Sequence, residues 1–227
     1  RLLPSELNYR ANIYGMKKLG VECIISISAV GSMKEEIAPG HIVVPDQFFD
    51  MTKRRVSTFF GNGIVGHVTF ADPVCPDLCN ILYQAGLESG AEMHKGGLYL
   101  CIEGPQFSTR GESLIYRKWG VDVIGMTNVT EAKLSREAEI CYATIALATD
   151  YDCWHEAEED VTVEAILEVI RKNVTTAQKI IKNAVLKIDI EKICTCKNAL
   201  QNAILTSKEV IPDKTRKDLE LLIGKYL

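Results

Sequence analysis

Residues Ala148–Trp154 read ATDYDCW and follow the apolar run ICYATIAL. Two carboxylates, Asp150 and Asp152, stand two positions apart where a hydrophobic strand should end. Side chains alternate along a strand, so the pair shares one face and Tyr151 takes the other. Several chemistries use carboxylates in this way. A divalent cation wants a third oxygen or nitrogen donor, and the neighbourhood offers only His155 and an acidic run. The two carboxyls of a glycoside hydrolase normally come from different elements, ~5 Å or more apart across the scissile bond. A ligand with N–H donors is a third option, one carboxyl keeping its proton because of its like-charged neighbour. Two solvated acids are the plainest reading. Spacing alone leaves all four open.

Two other strand ends carry suggestive residues. SISAVGSM closes on Ser28, Ala29, Gly31 and Ser32, where small side chains let backbone N–H groups turn inward as an anion nest, or mark an ordinary tight turn. IEGPQFSTRGE stops a strand at Glu103-Gly104-Pro105 and restarts as a helix at Thr109, which leaves Phe107 at the crossover. An aromatic there stacks on a planar ligand or lids the core. VIGMTN puts Met126 and Thr127 at a further strand end, suited equally to pocket and packing.

These positions need elements to hold them. SELNYRANIYGMKKLG has helical periodicity and stops at Gly20, and ECIISISAVG is β-rich. HIVVPDQFFD reads as one strand with a bend or edge at Pro45. Residues 52–72 are irregular and glycine-punctuated. DLCNILYQAGLESG is a helix, GGLYLCIEGPQF a strand, and TRGESLIYRKWG a helix opened by a Thr109–Glu112 capping box. VDVIGMT is a strand, NVTEAKLSREAE a helix, and CYATIALATD a strand. A long helix follows Thr162, with an expected core stripe at Ile166, Ile170, Val174, Ala177, Ile181 and Val185. A last helix from Asp213 should bury Leu219, Leu222, Ile223 and Tyr226. The alternation predicts a single α/β domain: a central mixed, twisted sheet flanked by helices, with ligands beyond the carboxyl ends of the strands. Residues 189–227 form a helical C-terminal extension.

The 227 residues are 47% hydrophobic with a net charge of −4, and their basic side chains are scattered. That argues against a nucleic-acid groove or an anionic-membrane surface, and no apolar run reaches the ~20 residues of a spanning helix. Eight cysteines and four histidines occur. No two cysteines have C-x-x-C spacing, so a metal is not expected. Unpaired thiols in a reducing cytosol are the ordinary reading, with disulfides in a thermophile's cytosol as the alternative. Only the CTC of Cys194 and Cys196 looks exposed enough for redox chemistry. The chain starts at Arg1 rather than Met, so residues ahead of it are expected.

NYRANI, SAVGS, DQF-x-D, IEGPQFSTRGES, VIGMT and ATDYDCW, in that order from Asn8 to Trp154, resemble the trimeric purine nucleoside phosphorylase superfamily, most of all its 5'-methylthioadenosine phosphorylase branch. The resemblance implies phosphorolysis: phosphate attacks C1' of the nucleoside and releases adenine and 5-methylthioribose 1-phosphate. It implies a cytoplasmic homotrimer, or a dimer of trimers, with inorganic phosphate as co-substrate and no cofactor or metal. By the same resemblance, Ser28, the Ala29 backbone and Thr127 contact phosphate, Met126 lies under the ribose, and Phe107 and Ser108 line the base. Asp150 gives a proton to N7 of the leaving purine and Asp152 accepts from the N6 amine. Members taking 6-oxopurines resemble one another in an Asn at the first acid, so Asp150 favours adenine. Val163 and Ile166 look like the methylthio pocket, and His67 like a residue lent by the neighbouring subunit.

The chain departs from the family pattern in two places. NVTE replaces a Val-Pro-Glu continuation, with Thr130 for the proline and Lys133 at a usually aliphatic position. The family's opening strands, glycine-rich phosphate loop and Arg-His phosphate pair are expected ahead of Arg1. The CTC resembles disulfide-forming pairs of thermophilic members. A 6-oxopurine or methylthioinosine phosphorylase and a non-catalytic purine-binding relative are the alternatives.

Overall fold

The computed structural model describes residues 2–155, 163–189, 191 and 194–227, with the side chains of residues 163–168 outside that description. In chain order the elements are α1 (Tyr9–Lys18), β1 (Cys23–Ser32), β2 (Ile42–Val44), β3 (Gln47–Asp50), α2 (Pro76–Glu88), β4 (Met93–Lys95) and β5 (Leu98–Cys101). There follow α3 (Arg110–Lys118), β6 (Val123–Gly125), α4 (Asn128–Glu137), β7 (Cys141–Tyr151), α5 (Val163–Val185), α6 (Asp213–Asp218) and α7 (Glu220–Ile223).

Seven strands form one mixed sheet in the order β3-β5-β6-β1-β7-β2-β4. The α/β domain read from the alternation of elements is therefore present. β1 and β7 run parallel at its centre from Cys23 opposite Cys141 to Ser32 opposite Tyr151, with a register shift at Val30/Gly31. β6 meets β1 antiparallel only through Gly31 and Ser32. The carboxyl ends of β1 and β7 therefore converge with the end of β6, and residues far apart in sequence share one cleft.

Pro45 does more than bend a strand. HIVVPDQFFD splits into β2, beside β7, and β3, at the opposite edge of the sheet. Proline has no N–H to give a ladder, so the chain leaves the sheet there and re-enters it elsewhere. β4 is three residues long, too short to show a period of two, and was not anticipated.

α2 and α5 cover one face. Ile42, Leu82, Ile145, Ala177 and Ile180 form the apolar layer between them and the sheet. α1, α4 and the C-terminal segment cover the other, through Ile13, Leu134, Ile140, Leu200, Leu222 and Ile223. The expected stripe of α5 is rotated. Its buried side carries Asn173, Ala177, Ile180 and Ala184, while Ile170, Val174 and Val185 are exposed. Small residues let α5 approach β7, and Asn173 Nδ2 donates to the Ala148 carbonyl at 3.0 Å. The final segment behaves as its pattern suggests, burying Leu219, Leu222 and Ile223, although Leu219 interrupts the helix between α6 and α7.

Candidate active site

Eight of the residues singled out in the sequence meet in one cavity of about 700 Å³: Ser28, Ala29, Phe107, Ser108, Met126, Thr127, Asp150 and Asp152. The ends of β1, β6 and β7 and the turn before α3 supply them. Alternation along β7 holds. Asp150 and Asp152 line the cavity, while Tyr151 turns away to stack on His155 at 4.5 Å and to donate to the Glu35 carbonyl at 3.1 Å.

Each acid has a local hydroxyl. Ser108 Oγ donates to Asp152 Oδ2 at 2.7 Å, and Thr149 Oγ1 to Asp150 Oδ2 at 2.6 Å. Among the described residues no hydrogen bond reaches the second oxygen of Asp152. The segment is anchored behind the site, where the Asp152 N–H and Trp154 Nε1 both donate to the Ser32 carbonyl, at 3.2 and 2.8 Å. Arg117 lies 3.4 Å over the Trp154 ring, and a cation on the indole face fixes that anchor further. Phe107 is 84% exposed at the cavity mouth, so it does not fill the core. The helix that follows it starts as read, with Thr109 and Glu112 capping one another reciprocally.

The opposite end of the cavity rests on a buried polar chain that the sequence did not reveal. Ser28 Oγ lies 3.0 Å from Tyr99 Oη, and Tyr99 donates to Asn128 Oδ1 at 3.4 Å. The same Oδ1 accepts from Thr127 Oγ1 at 3.0 Å, while Asn128 Nδ2 reaches Thr144 Oγ1 at 2.5 Å. Ser28 and Thr127 are thus tied together from beneath. Burial pushes the Tyr99 phenol well above its usual range, so it serves as a neutral hydroxyl. Gly125 makes room for it, since a Cβ there would fall 1.9 Å from the phenol oxygen.

A second missed element is Arg55, whose side chain is 1% exposed. It donates to the Met126 carbonyl at 2.5 Å and the Glu103 carbonyl at 2.9 Å, and it pairs with the Glu103 carboxylate at 3.4 Å. Partial burial alone would raise Glu103, but hydrogen bonds from Ser5 Oγ and the Lys53 and Arg54 N–H groups, together with Arg55, hold it at about 2. This clamp fixes the chain under Met126. Gly104 completes it with φ +69° and a position where a Cβ would meet Met126 Sδ at 2.6 Å. The only sequence signal was an Arg-Arg pair in an irregular loop.

One expected residue is not in this cavity. His67 lines another, of about 730 Å³, where its N–H donates to the Ala203 carbonyl. The side chains of Val163 and Ile166 lie outside the described residues. Of the two substituted positions after Thr127, Thr130 is fully buried and its hydroxyl has no hydrogen-bond partner among the described residues, and Lys133 forms an ion pair with Asp50 at 2.5 Å. The cysteines also differ from expectation: Cys196 is buried and Cys194 half-buried, while Cys153, at the cavity mouth, is the exposed thiol.

A mixed α/β sheet thus brings small residues at one strand end, paired acids at another and an exposed aromatic to one cavity. Residues 3–186 match the family model of the phosphorylase superfamily, and the chain belongs to that family. It is 64% identical to the S-methyl-5'-thioadenosine phosphorylase of Geobacter sulfurreducens, over all of this chain and 80% of the relative. It is 56% identical to the one from Koribacter versatilis, over all of this chain and 77% of the relative. The crystal structure of a methylthioadenosine phosphorylase from an antarctic soil metagenomic library superposes with a TM-score of 0.94 at 49% identity, covering 98% of this chain and 79% of that one. A Schistosoma mansoni adenosine/methylthioadenosine phosphorylase mutant, crystallised with methylthioadenosine, gives 0.79 at 38% identity, over 84% and 72%.

Proposed function

We propose that this chain catalyses phosphorolysis of 5'-methylthioadenosine. Phosphate attacks C1', the C1'–N9 bond breaks, and adenine and 5-methylthioribose 1-phosphate result. The observation that carries the reading is the convergence of Asp150 and Asp152 with Phe107, Met126 and the Ser28–Thr127 end in one cavity.

The reaction places positive charge on the sugar and negative charge on the departing purine. A site that helps must therefore put a proton donor at the base and an anion beneath the ribose. Asp150 is the proton donor to N7, and Asp152 accepts from the N6 amine with the oxygen that Ser108 leaves free. Phe107 and Ser108 bound the base, and Met126 underlies the ribose. Ser28, the Ala29 backbone and Thr127 receive phosphate at the other end, oriented by the Tyr99–Asn128 chain. Val163, Ile166 and a neighbouring subunit's His67 make up the methylthio pocket. A homotrimer, or two trimers paired, gives His67 a role that its own subunit's geometry does not. Inorganic phosphate is the co-substrate, no cofactor takes part, and the enzyme works in the cytoplasm. Among the described residues no helix is long and apolar enough to cross a membrane.

The test is base release from methylthioadenosine and from methylthioinosine, each with and without phosphate, by the full-length protein. Phosphate-dependent release of adenine is expected. Release only from the inosine analogue, or binding without turnover, would overturn the reading.

A further inference from the structure

Four cysteines that serve no part of the site above meet at one point. The sulfurs of Cys75, Cys141, Cys194 and Cys196 all lie within 4.8 Å of one another, with Cys75 and Cys194 at 3.6 Å although 119 residues apart in sequence. Three separate segments deliver them: the residue capping α2, the first residue of β7, and the short turn that opens the C-terminal segment. Buried thiols used simply as small apolar side chains do not gather in this way. Cys79 and Cys101 are also buried and, among the described residues, belong to no such group.

We propose that these four side chains form a tetrathiolate site for one soft divalent metal ion, with zinc as its natural occupant. A tetrahedron with Zn–S bonds of ~2.3 Å has S···S edges of ~3.8 Å; one pair stands at 3.6 Å and the rest lie within 4.8 Å, close enough to contract onto an ion. Thiolate ligands select zinc over hard cations such as magnesium or calcium. Cys75 caps the N-terminus of the 13-residue α2. Cys141 is held by the β1–β7 ladder. Two of the four ligands are therefore positioned by regular elements before any ion arrives. A cavity of about 340 Å³ lined by Cys23, Cys75, Cys141 and Cys194 opens beside the cluster and gives an ion a path in. Binding converts four thiols into four metal-bound thiolates and releases four protons, with no oxidant required.

The role is structural. Cys141 begins β7 and Asp150 lies near its other end, about 30 Å away at ~3.3 Å per residue. The ion would staple the C-terminal segment, from Cys194 onward, to α2 and to the central strand. It reaches the adenine cavity only through the stability of the fold.

The test uses the full-length protein, expressed with zinc available and purified without chelator or reductant. Plasma mass spectrometry should find one zinc per chain. After chelation, the denatured protein should titrate every one of its cysteines as a free thiol, including the eight of residues 1–227. Cobalt(II) added to the stripped native protein should give the visible ligand-field bands and near-ultraviolet sulfur-to-cobalt charge transfer of a tetrahedral tetrathiolate, abolished by zinc. Cys194→Ser, at the least buried of the four positions, should weaken cobalt binding roughly tenfold or more and diminish the charge-transfer band. A disulfide mapped to Cys75, Cys141, Cys194 or Cys196 would overturn the proposal. So would fully free thiols with neither stoichiometric zinc nor a cobalt spectrum.

Discussion

Ser108 occupies one oxygen of Asp152 and, in the proposed reaction, decides which oxygen meets the base. A neutral donor to a carboxylate is worth on the order of 1 kcal/mol net. We expect Ser108→Ala to raise KM for methylthioadenosine about fivefold with a smaller effect on kcat, because the contact is made in ground and transition states alike. Steady-state kinetics measure this, and an unchanged KM would separate Ser108 from base recognition. At this scale the strand-end residues were legible from the sequence. Asp150, Asp152, Met126 and Thr127 each stand where an apolar run stops, and in an α/β sheet that is where ligands bind. Tyr99 and Asn128 were not legible, because a tyrosine inside GGLYLC and an asparagine opening a helix look like core and cap until the third dimension joins them. The division of labour between the two acids came from family resemblance, since two carboxylates on one face suit several chemistries.

The elements show how tightly the site is shaped from behind. Gly125 ends β6 where the Tyr99 hydroxyl would collide with any Cβ, and that hydroxyl is held in a buried chain and cannot swing aside freely. Gly125→Ala is expected to cost about 1–3 kcal/mol, measured as a lower urea midpoint, and to weaken phosphate saturation through Ser28. Removing the cap at Thr109 with Thr109→Ala should cost ~1 kcal/mol. It loosens the segment bearing Phe107 and Ser108, and a midpoint equal to wild type would contradict it. The capping box could be read directly because its signal is local. The separation of β2 from β3 could not, because Pro45 says only that the ladder breaks and not where the chain rejoins. The buried face of α5 was misjudged for a related reason. Beside the expected Ala177, close packing on β7 selected Asn173, Ile180 and Ala184 over Ile170, Val174 and Val185, which periodicity favoured.

For the molecule as a whole, the Arg55–Glu103 clamp ties the chain near Ser5, the irregular loop and the end of β5 together. Glu103 is depressed from 4.5 to about 2. Its contribution to stability is therefore complete above about pH 4.5 and is lost as pH falls towards 2. Wild type and Glu103→Gln should differ in urea midpoint at pH 7 and converge as the pH falls through that window. A constant difference would assign the effect to something other than the charge. The four-cysteine cluster also belongs to this scale. Spacing along the chain could not expose it, because its members come from three distant segments that only the sheet and the C-terminal turn unite. The central claim concerns the two acids that end β7, and one comparison tests it most directly: kcat/KM for methylthioadenosine over methylthioinosine, in wild type and in Asp150→Asn. A protonated Asp150 at N7 and an accepting Asp152 at N6 predict a large preference for the adenine nucleoside in wild type, on the order of 10⁴. The same account predicts that Asp150→Asn lowers turnover of the adenine nucleoside by ~10²–10⁴ and shifts the ratio towards the 6-oxopurine. A ratio near one in wild type, left unchanged by the substitution, would contradict it.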